Sequence, residues 1–129
     1  MKCFFDENLS KNLALGLRGF GEDAIHLTEV FTSGTPDEEW LPYVGNKGYI
    51  LFTKDQRIRR RPLEKALIME YKVGAFYLMG KTMSRWNYIR QIVRAWDKIE
   101  KLVEKEYPPF AYQVSLHGTK IIKIQLESI

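Results

Sequence analysis

Twice in the first half of this chain a short apolar run breaks off at an acid. Cys3-Phe4-Phe5 runs straight into Asp6-Glu7-Asn8, and Tyr49-Ile50-Leu51-Phe52-Thr53 passes Lys54 to reach Asp55. Continuous apolar runs of this length read as strands covered on both faces, which belong to parallel sheets with helical crossovers. Ligand sites in such sheets collect outside the carboxyl ends of the strands. Each acid is therefore a cap on the following helix, a turn former, or a member of a site at that edge.

The segments between and after the two runs fit this plan. Leu9, Leu13 and Leu17 recur at helical spacing with Ala14 beside them, closed by Gly19 and Gly21. Asp23 to Leu27 is a strand candidate, followed by a polar loop over residues 32–35. Thr35-Pro36-Asp37-Glu38-Glu39 then predicts a helix start, with Thr35 as N-cap, Pro36 in the first position and Glu38 completing a capping box. Trp40, Leu41 and Val44 give that helix its apolar face, and the stretch Gly45 to Gly48 ends it. Leu63, Ala66, Leu67 and Tyr71 mark a further helix, and Gly74 to Met79 a fourth strand. Ser84 is placed to cap a long helix with Trp86, Ile89, Val93, Trp96 and Val103 on its apolar face, stopped by Pro108 and Pro109.

The last segment changes period. Phe110, Tyr112, Val114 and Leu116 alternate with smaller or polar residues, and after His117-Gly118 so do Ile122, Ile124 and Leu126, as in an antiparallel hairpin with one covered face. The expected fold is a three-layer α/β domain over 1–129, with a mainly parallel sheet flanked by helices and a C-terminal antiparallel hairpin.

Composition narrows the function classes. The 129 residues carry a formal net charge of +4, a modest basic excess that suits a polyanionic partner. No apolar run is long enough to span a bilayer, so no membrane is expected. A lone cysteine, Cys3, excludes an internal disulfide framework and fits a reducing, cytoplasmic setting. In its apolar run Cys3 reads as a buried small hydrophobe, not a nucleophile. His26 and His117 lack partners at ligand spacing, and Trp40, Trp86 and Trp96 read as core.

The acids carry the chemistry. Asp6, Asp37 and Asp55 all belong to connections at the carboxyl edge of the expected sheet and can converge there. Aspartate oxygens on a rigid edge, with no His or Cys beside them, are hard ligands suited to Mg²⁺ or Mn²⁺. Each acid also has a plain alternative: Asp6 as a helix cap, Asp37 and Glu38 as complements to the helix dipole, Asp55 as a turn former. Beside Asp55, Arg57, Arg59, Arg60 and Arg61 form a basic loop suited to phosphate, with Lys54 on its other side. A second basic stripe, Arg90, Arg94, Lys98, Lys101 and Lys105, has Asp97, Glu100 and Glu104 interleaved at pairing distance and reads as a solvated face.

With those residues placed, the chain resembles the PIN-like nuclease families, especially the toxins of VapC-type toxin–antitoxin pairs. The carriers are Phe4-Phe5-Asp6-Glu7-Asn8-Leu9, Pro36-Asp37-Glu38-Glu39-Trp40 and Phe52-Thr53-Lys54-Asp55-Gln56-Arg57-Ile58-Arg59. The resemblance implies a Mg²⁺- or Mn²⁺-dependent ribonuclease that cleaves a phosphodiester by water attack, held in check by a cognate antitoxin, with RNA as substrate and a homodimer as a candidate assembly. Asp6, Asp37 and Asp55 would be catalytic metal ligands, with Glu7, Glu38 and Glu39 as lesser candidates, and Lys54, Arg57, Arg59 and Arg60 would contact RNA. Many related sequences carry another acid two positions after the residue matching Asp55. Here that position is Arg57, so the fourth carboxylate comes from elsewhere, with Glu7 and Glu64 as candidates, or the site is thinner. The alternative function is a PIN-like module that binds RNA or a protein without cutting.

Overall fold

A computed structural model describes residues 1–54, 62–81 and 83–126. Six strands form one sheet in the order β2-β1-β3-β4-β5-β6. The strands are β1 (Lys2–Phe5), β2 (Asp23–His26), β3 (Ile50–Thr53), β4 (Gly74–Leu78), β5 (Phe110–Val114) and β6 (Ile121–Lys123). The first five are mutually parallel and β6 runs antiparallel to β5. Among the described residues the α-helices are α1 (Lys11–Gly19), α2 (Asp37–Lys47), α3 (Pro62–Tyr71) and α4 (Arg85–Lys105). The α/β architecture and the terminal hairpin are those the sequence predicts.

Two apolar clusters, one on each face of the sheet, make the three layers. On one face α1 and α4 cover Cys3, Phe5, Phe52 and Phe76; on the other α2 and α3 cover Phe4, Leu51, Ala75 and Tyr77. The alternation of Phe4 and Phe5 between the clusters is the two-residue period of a strand buried on both sides. Phe5, Phe52 and Phe76 stack across three neighbouring strands, with centroids 5.1 and 5.5 Å apart, so strand register and core packing reinforce each other. Cys3 is fully buried, and burial pushes its thiol up to about 12; it is the small core residue expected.

Several local expectations are corrected. The first helix is capped by Ser10, whose side chain accepts from the Asn12 N–H, so Asp6 does not serve as its cap. The second helix starts at Asp37 with Pro36 as its N-cap and no side-chain cap. Extended backbone at Pro36 turns its carbonyl onto Glu39 N, at 2.9 Å, while the Thr35 hydroxyl turns back to the Thr32 carbonyl. Glu38 therefore sits too early in the helix to complete a capping box.

In α3 the buried positions are Glu64 and Ile68, with Leu63 and Ala66 exposed. In α4 the buried stripe is Tyr88, Gln91, Ile92, Ala95 and Ile99. Trp86 is 72% exposed and Val93 60% exposed, while Trp40 is buried and Trp96 packs against the Phe52 ring. The terminal hairpin is also less simple than alternation suggests. Its first strand lies inside the sheet beside β4 and is covered on both faces for most of its length; Ile122 and Leu116 are exposed and Ile124 is buried.

Candidate functional site

The strand order changes direction at β1. From there the chain crosses over to β2 on one side, then returns to β3 on the other. The crevice outside the carboxyl ends of β1 and β3 is the switch point at which open α/β sheets bind ligands. Asp6 follows β1 there directly, and its backbone N–H extends the ladder by donating to the Phe52 carbonyl at 3.0 Å.

The side chains at this crevice form a connected set. The Thr53 hydroxyl, at the end of β3, donates to Asp6 Oδ2 at 3.0 Å. Its oxygen lies 3.3 Å from both Oδ1 and Nδ2 of Asn8. A hydroxyl has one proton, and the shorter contact takes it to Asp6, which leaves Asn8 Nδ2 to donate to Thr53. Asn8 Oδ1 also reaches the Lys54 N–H at 3.5 Å. Neither Asn8 nor Thr53 is an obvious functional residue in the sequence; the signal for both was their place immediately after, or at, a strand end.

Burial raises the Asp6 carboxyl above its ordinary value. The bonds from Thr53 and the Glu7 N–H oppose that rise, while the charges of Asp37 and Glu7 add to it. Asp37, in the first turn of α2, is thus close enough for its charge to be felt at Asp6. Asp6 and Asp37 both lie on the carboxyl side of the sheet, one directly after β1 and the other opening α2. Asp55, Arg57, Arg59 and Arg60 lie outside the described residues. Lys54 is described, and its ammonium sits 5.9 Å above the Tyr88 ring of α4.

Glu7 faces elsewhere. Its carboxylate accepts from Ser33 Oγ at 2.7 Å and the Gly34 N–H at 2.8 Å, and these two bonds hold its carboxyl below the usual range. It pins the loop that leads into α2. Glu38 and Glu39 are exposed, whereas Asp37 is half-buried. Glu64 is a buried carboxylate in the first turn of α3, at the same edge. His26, at the end of β2, is buried and braces the loop after Asp6. Its Nε2 donates to the Leu9 carbonyl at 2.8 Å, because Nδ1 accepts from the Thr28 N–H. Among the described residues no three His, Cys, Asp or Glu side chains lie together as a metal-binding group.

The basic stripe on α4 is exposed, as expected of a solvated face, but the expected pairing with the interleaved acids is not formed: among the described residues none of its five cations forms an ion pair with Asp97, Glu100 or Glu104. Lys98 instead donates to the Thr119 carbonyl and Arg90 to Asn87 Oδ1.

A family profile described as a PIN-like domain matches residues 1–80, more than half of the chain. This chain belongs to the PIN-like domain family. No curated protein and no solved structure matches it. The profile covers β1 through β4, and hence the whole crevice around Asp6, while α4 and the hairpin lie beyond it. PIN-like domains are generally nucleases, and nucleases of this kind typically use divalent metals. Among the described residues of this PIN-like domain, no helix is long and apolar enough to cross a membrane.

Proposed function

We propose that this PIN-like domain is a metal-dependent endoribonuclease that hydrolyses RNA phosphodiester bonds, the toxin of a toxin–antitoxin pair. The observation that carries the reading is the pairing at the switch point: a half-buried Asp6, held by Thr53, whose carboxyl is raised in part by the charge of Asp37. Carboxylates placed this way repel one another, and a cation at the crevice relieves the repulsion. Their donor atoms are all oxygen, with the Asn8 amide and Thr53 hydroxyl beside them, and hard oxygen donors fit Mg²⁺ or Mn²⁺ better than a soft metal.

In this reading Asp6, Asp37 and Asp55 hold the ion. Once bound, it supplies an activated water and neutralises charge on the scissile phosphate. The protein's own groups do the rest. The Thr53 hydroxyl fixes the Asp6 carboxylate in one rotamer, Glu7 places Asp37 through the 32–35 loop, and Lys54, Arg57, Arg59 and Arg60 hold the RNA phosphates. Residues 1–129 act as one domain in the cytoplasm, where Cys3 stays reduced. The antitoxin partner rests on the resemblance to VapC-type toxins, as does a homodimer, for which the exposed edge of the hairpin is the candidate surface.

The deciding experiment combines calorimetry with Mn²⁺ and RNA cleavage with and without chelator, on the natural chain and on Asp6→Asn, Asp37→Asn and Asp55→Asn. Metal binding and chelator-sensitive cleavage, both lost in the variants, are expected. RNA binding without cleavage in either metal would identify the non-cutting module instead. The toxin assignment is tested separately: induced expression should arrest growth, and co-expression of a neighbouring small reading frame should restore it.

A further inference from the structure

We infer that the groove between α4 and the β5–β6 hairpin is a binding track for the phosphate backbone of the single-stranded RNA that the crevice cleaves. The inference rests on the nuclease reading for its substrate, but it concerns residues beyond the segment that the family profile matches.

Two hollows lie between α4 and the hairpin, on either side of the Gly118 contact with the helix. One, of about 170 Å³, is lined by Asn87, Arg90, Arg94 and His117 among others; the next, of about 530 Å³, is lined by Lys98, Lys101 and Lys120 among others. Among the described residues no carboxylate lines either hollow. Arg90, Arg94 and Lys98 follow one another at four-residue intervals, which places successive cations about 6 Å apart along the helix. That spacing is comparable to the separation of successive phosphates along an extended strand. Their charges are not consumed internally, since among the described residues none of them is ion-paired.

The far wall is built to stay in place. Gly118, in the hairpin turn, has φ +73° and sits so close to α4 that a Cβ would lie 2.3 Å from the Gln91 carbonyl oxygen and 3.1 Å from the Arg94 Cβ. Only glycine combines that backbone angle with that approach. The Ser115 hydroxyl accepts from the Thr119 and Lys120 N–H groups, which fixes the turn that carries His117.

The groove also starts at the proposed catalytic edge. Gln91 is buried, and its Nε2 donates to the Met79 and Ser115 carbonyls, just past the carboxyl ends of β4 and β5. The Lys54 ammonium over Tyr88 brings the end of β3 against the same part of α4. From β1 to β5 there are three strand spacings, about 14 Å in all, which a few nucleotides span. About one helical turn before Arg90 on α4, Trp86 presents an exposed indole. An aromatic face beside a guanidinium offers stacking to a base, which an acidic peptide does not use. This combination favours RNA over an acidic protein segment as the occupant.

The test measures binding separately from cleavage. Fluorescence anisotropy of a short labelled oligouridine would be followed on the Asp6→Asn chain in chelator, across a salt series. Adding Arg90→Gln with Arg94→Gln, which keeps the aliphatic stems, should weaken binding on the order of tenfold and flatten the salt slope by about 1.4, two contacts at about 0.7 each. Trp86→Ala should weaken it on the order of tenfold with the slope unchanged. Lys47→Gln, at the opposite edge of the sheet, should leave both unchanged. Groove variants that bind oligouridine like their parent would overturn the track, as would polyglutamate binding as tightly with the same salt slope. Cleavage assays distinguish the two failures. RNA that binds with the predicted charge dependence but is never cut removes the nuclease reading and leaves the track. RNA that is cut while binding ignores Arg90 and Arg94 removes the track alone.

Discussion

The Thr53 hydroxyl donates to Asp6 Oδ2 at 3.0 Å, joining the last residue of β3 to the first residue after β1. The two lie 47 positions apart in the chain, and adjacency of their strands is what brings them together. A bond across the switch point orients the carboxylate before any ligand arrives. Thr53→Val keeps the shape and removes the proton donor. The Asp6 carboxyl should then rise further above its ordinary value, because the Thr53 bond is among the interactions holding it down. A carbon-detected titration of the Asp6 carboxyl reads that shift directly. Stability should fall by about 1 kcal/mol, the ordinary cost of one such bond.

The same carboxylate makes the unliganded protein less stable than it could be. Burial, then the Asp37 and Glu7 charges, raise the Asp6 carboxyl against the bonds that lower it. A group raised in the folded state contributes stability below its ordinary value, here 3.8, and loses it as pH rises through the folded value. At neutral pH in chelator, Asp6→Asn should therefore melt a few degrees above the natural chain. The gap should close on acidification below about 3.8. Mn²⁺ should raise the melting temperature of the natural chain and leave the variant where it was.

Glu7 is predicted to act at a distance from any ion. Its bonds to Ser33 and Gly34 hold the loop whose next turn delivers Asp37. Glu7→Ala should cost about 1 kcal/mol, open the 32–35 loop to proteolysis, and weaken Mn²⁺ binding several-fold through misplacement of Asp37. Glu7→Gln keeps an acceptor oxygen and should retain much of both properties. Equal losses of metal affinity in the two variants would show that the charge itself matters, and that Glu7 is a ligand.

What could be read in advance follows from how much each residue depends on distant neighbours. The buried strands were legible because a short apolar run bounded by turn residues has few alternatives, and the edge carrying Asp6 and Asp37 follows from parallel order alone. The face of α4 was not. Trp86, Ile89, Val93 and Trp96 form one helical stripe and Tyr88, Ile92, Ala95 and Ile99 another, and periodicity cannot choose between them. The choice is made by Gln91, a polar residue that is buried because carbonyls past the ends of β4 and β5 accept from its amide. Thr35 shows the same limit on a smaller scale: its hydroxyl donates back to the Thr32 carbonyl, and α2 starts without a side-chain cap.

Glu29 supplies a pH test away from the proposed site. Burial alone would raise its carboxyl, but hydrogen bonds from Arg18, at 2.7 Å, and the His26 N–H, at 2.8 Å, outweigh it and hold the group below its ordinary value of 4.5. A lowered group stabilises the fold above its unfolded value, and the contribution disappears as pH falls through the folded one. Between neutral pH and about 5 the Glu29 contribution should therefore be constant, then be lost below about 4.5. Glu29→Gln should be less stable than the natural chain at neutral pH by no more than about 1 kcal/mol, since Arg18 is partly in solvent. In acid the two should converge. Because Arg18 also donates to the Ala24 carbonyl through Nε and Nη2, the variant loses the ion pair but keeps the tie between α1 and β2. Urea melts of both chains across this range test the assignment: a stability difference that persists unchanged into acid would show that Glu29 acts through packing and not through its charge.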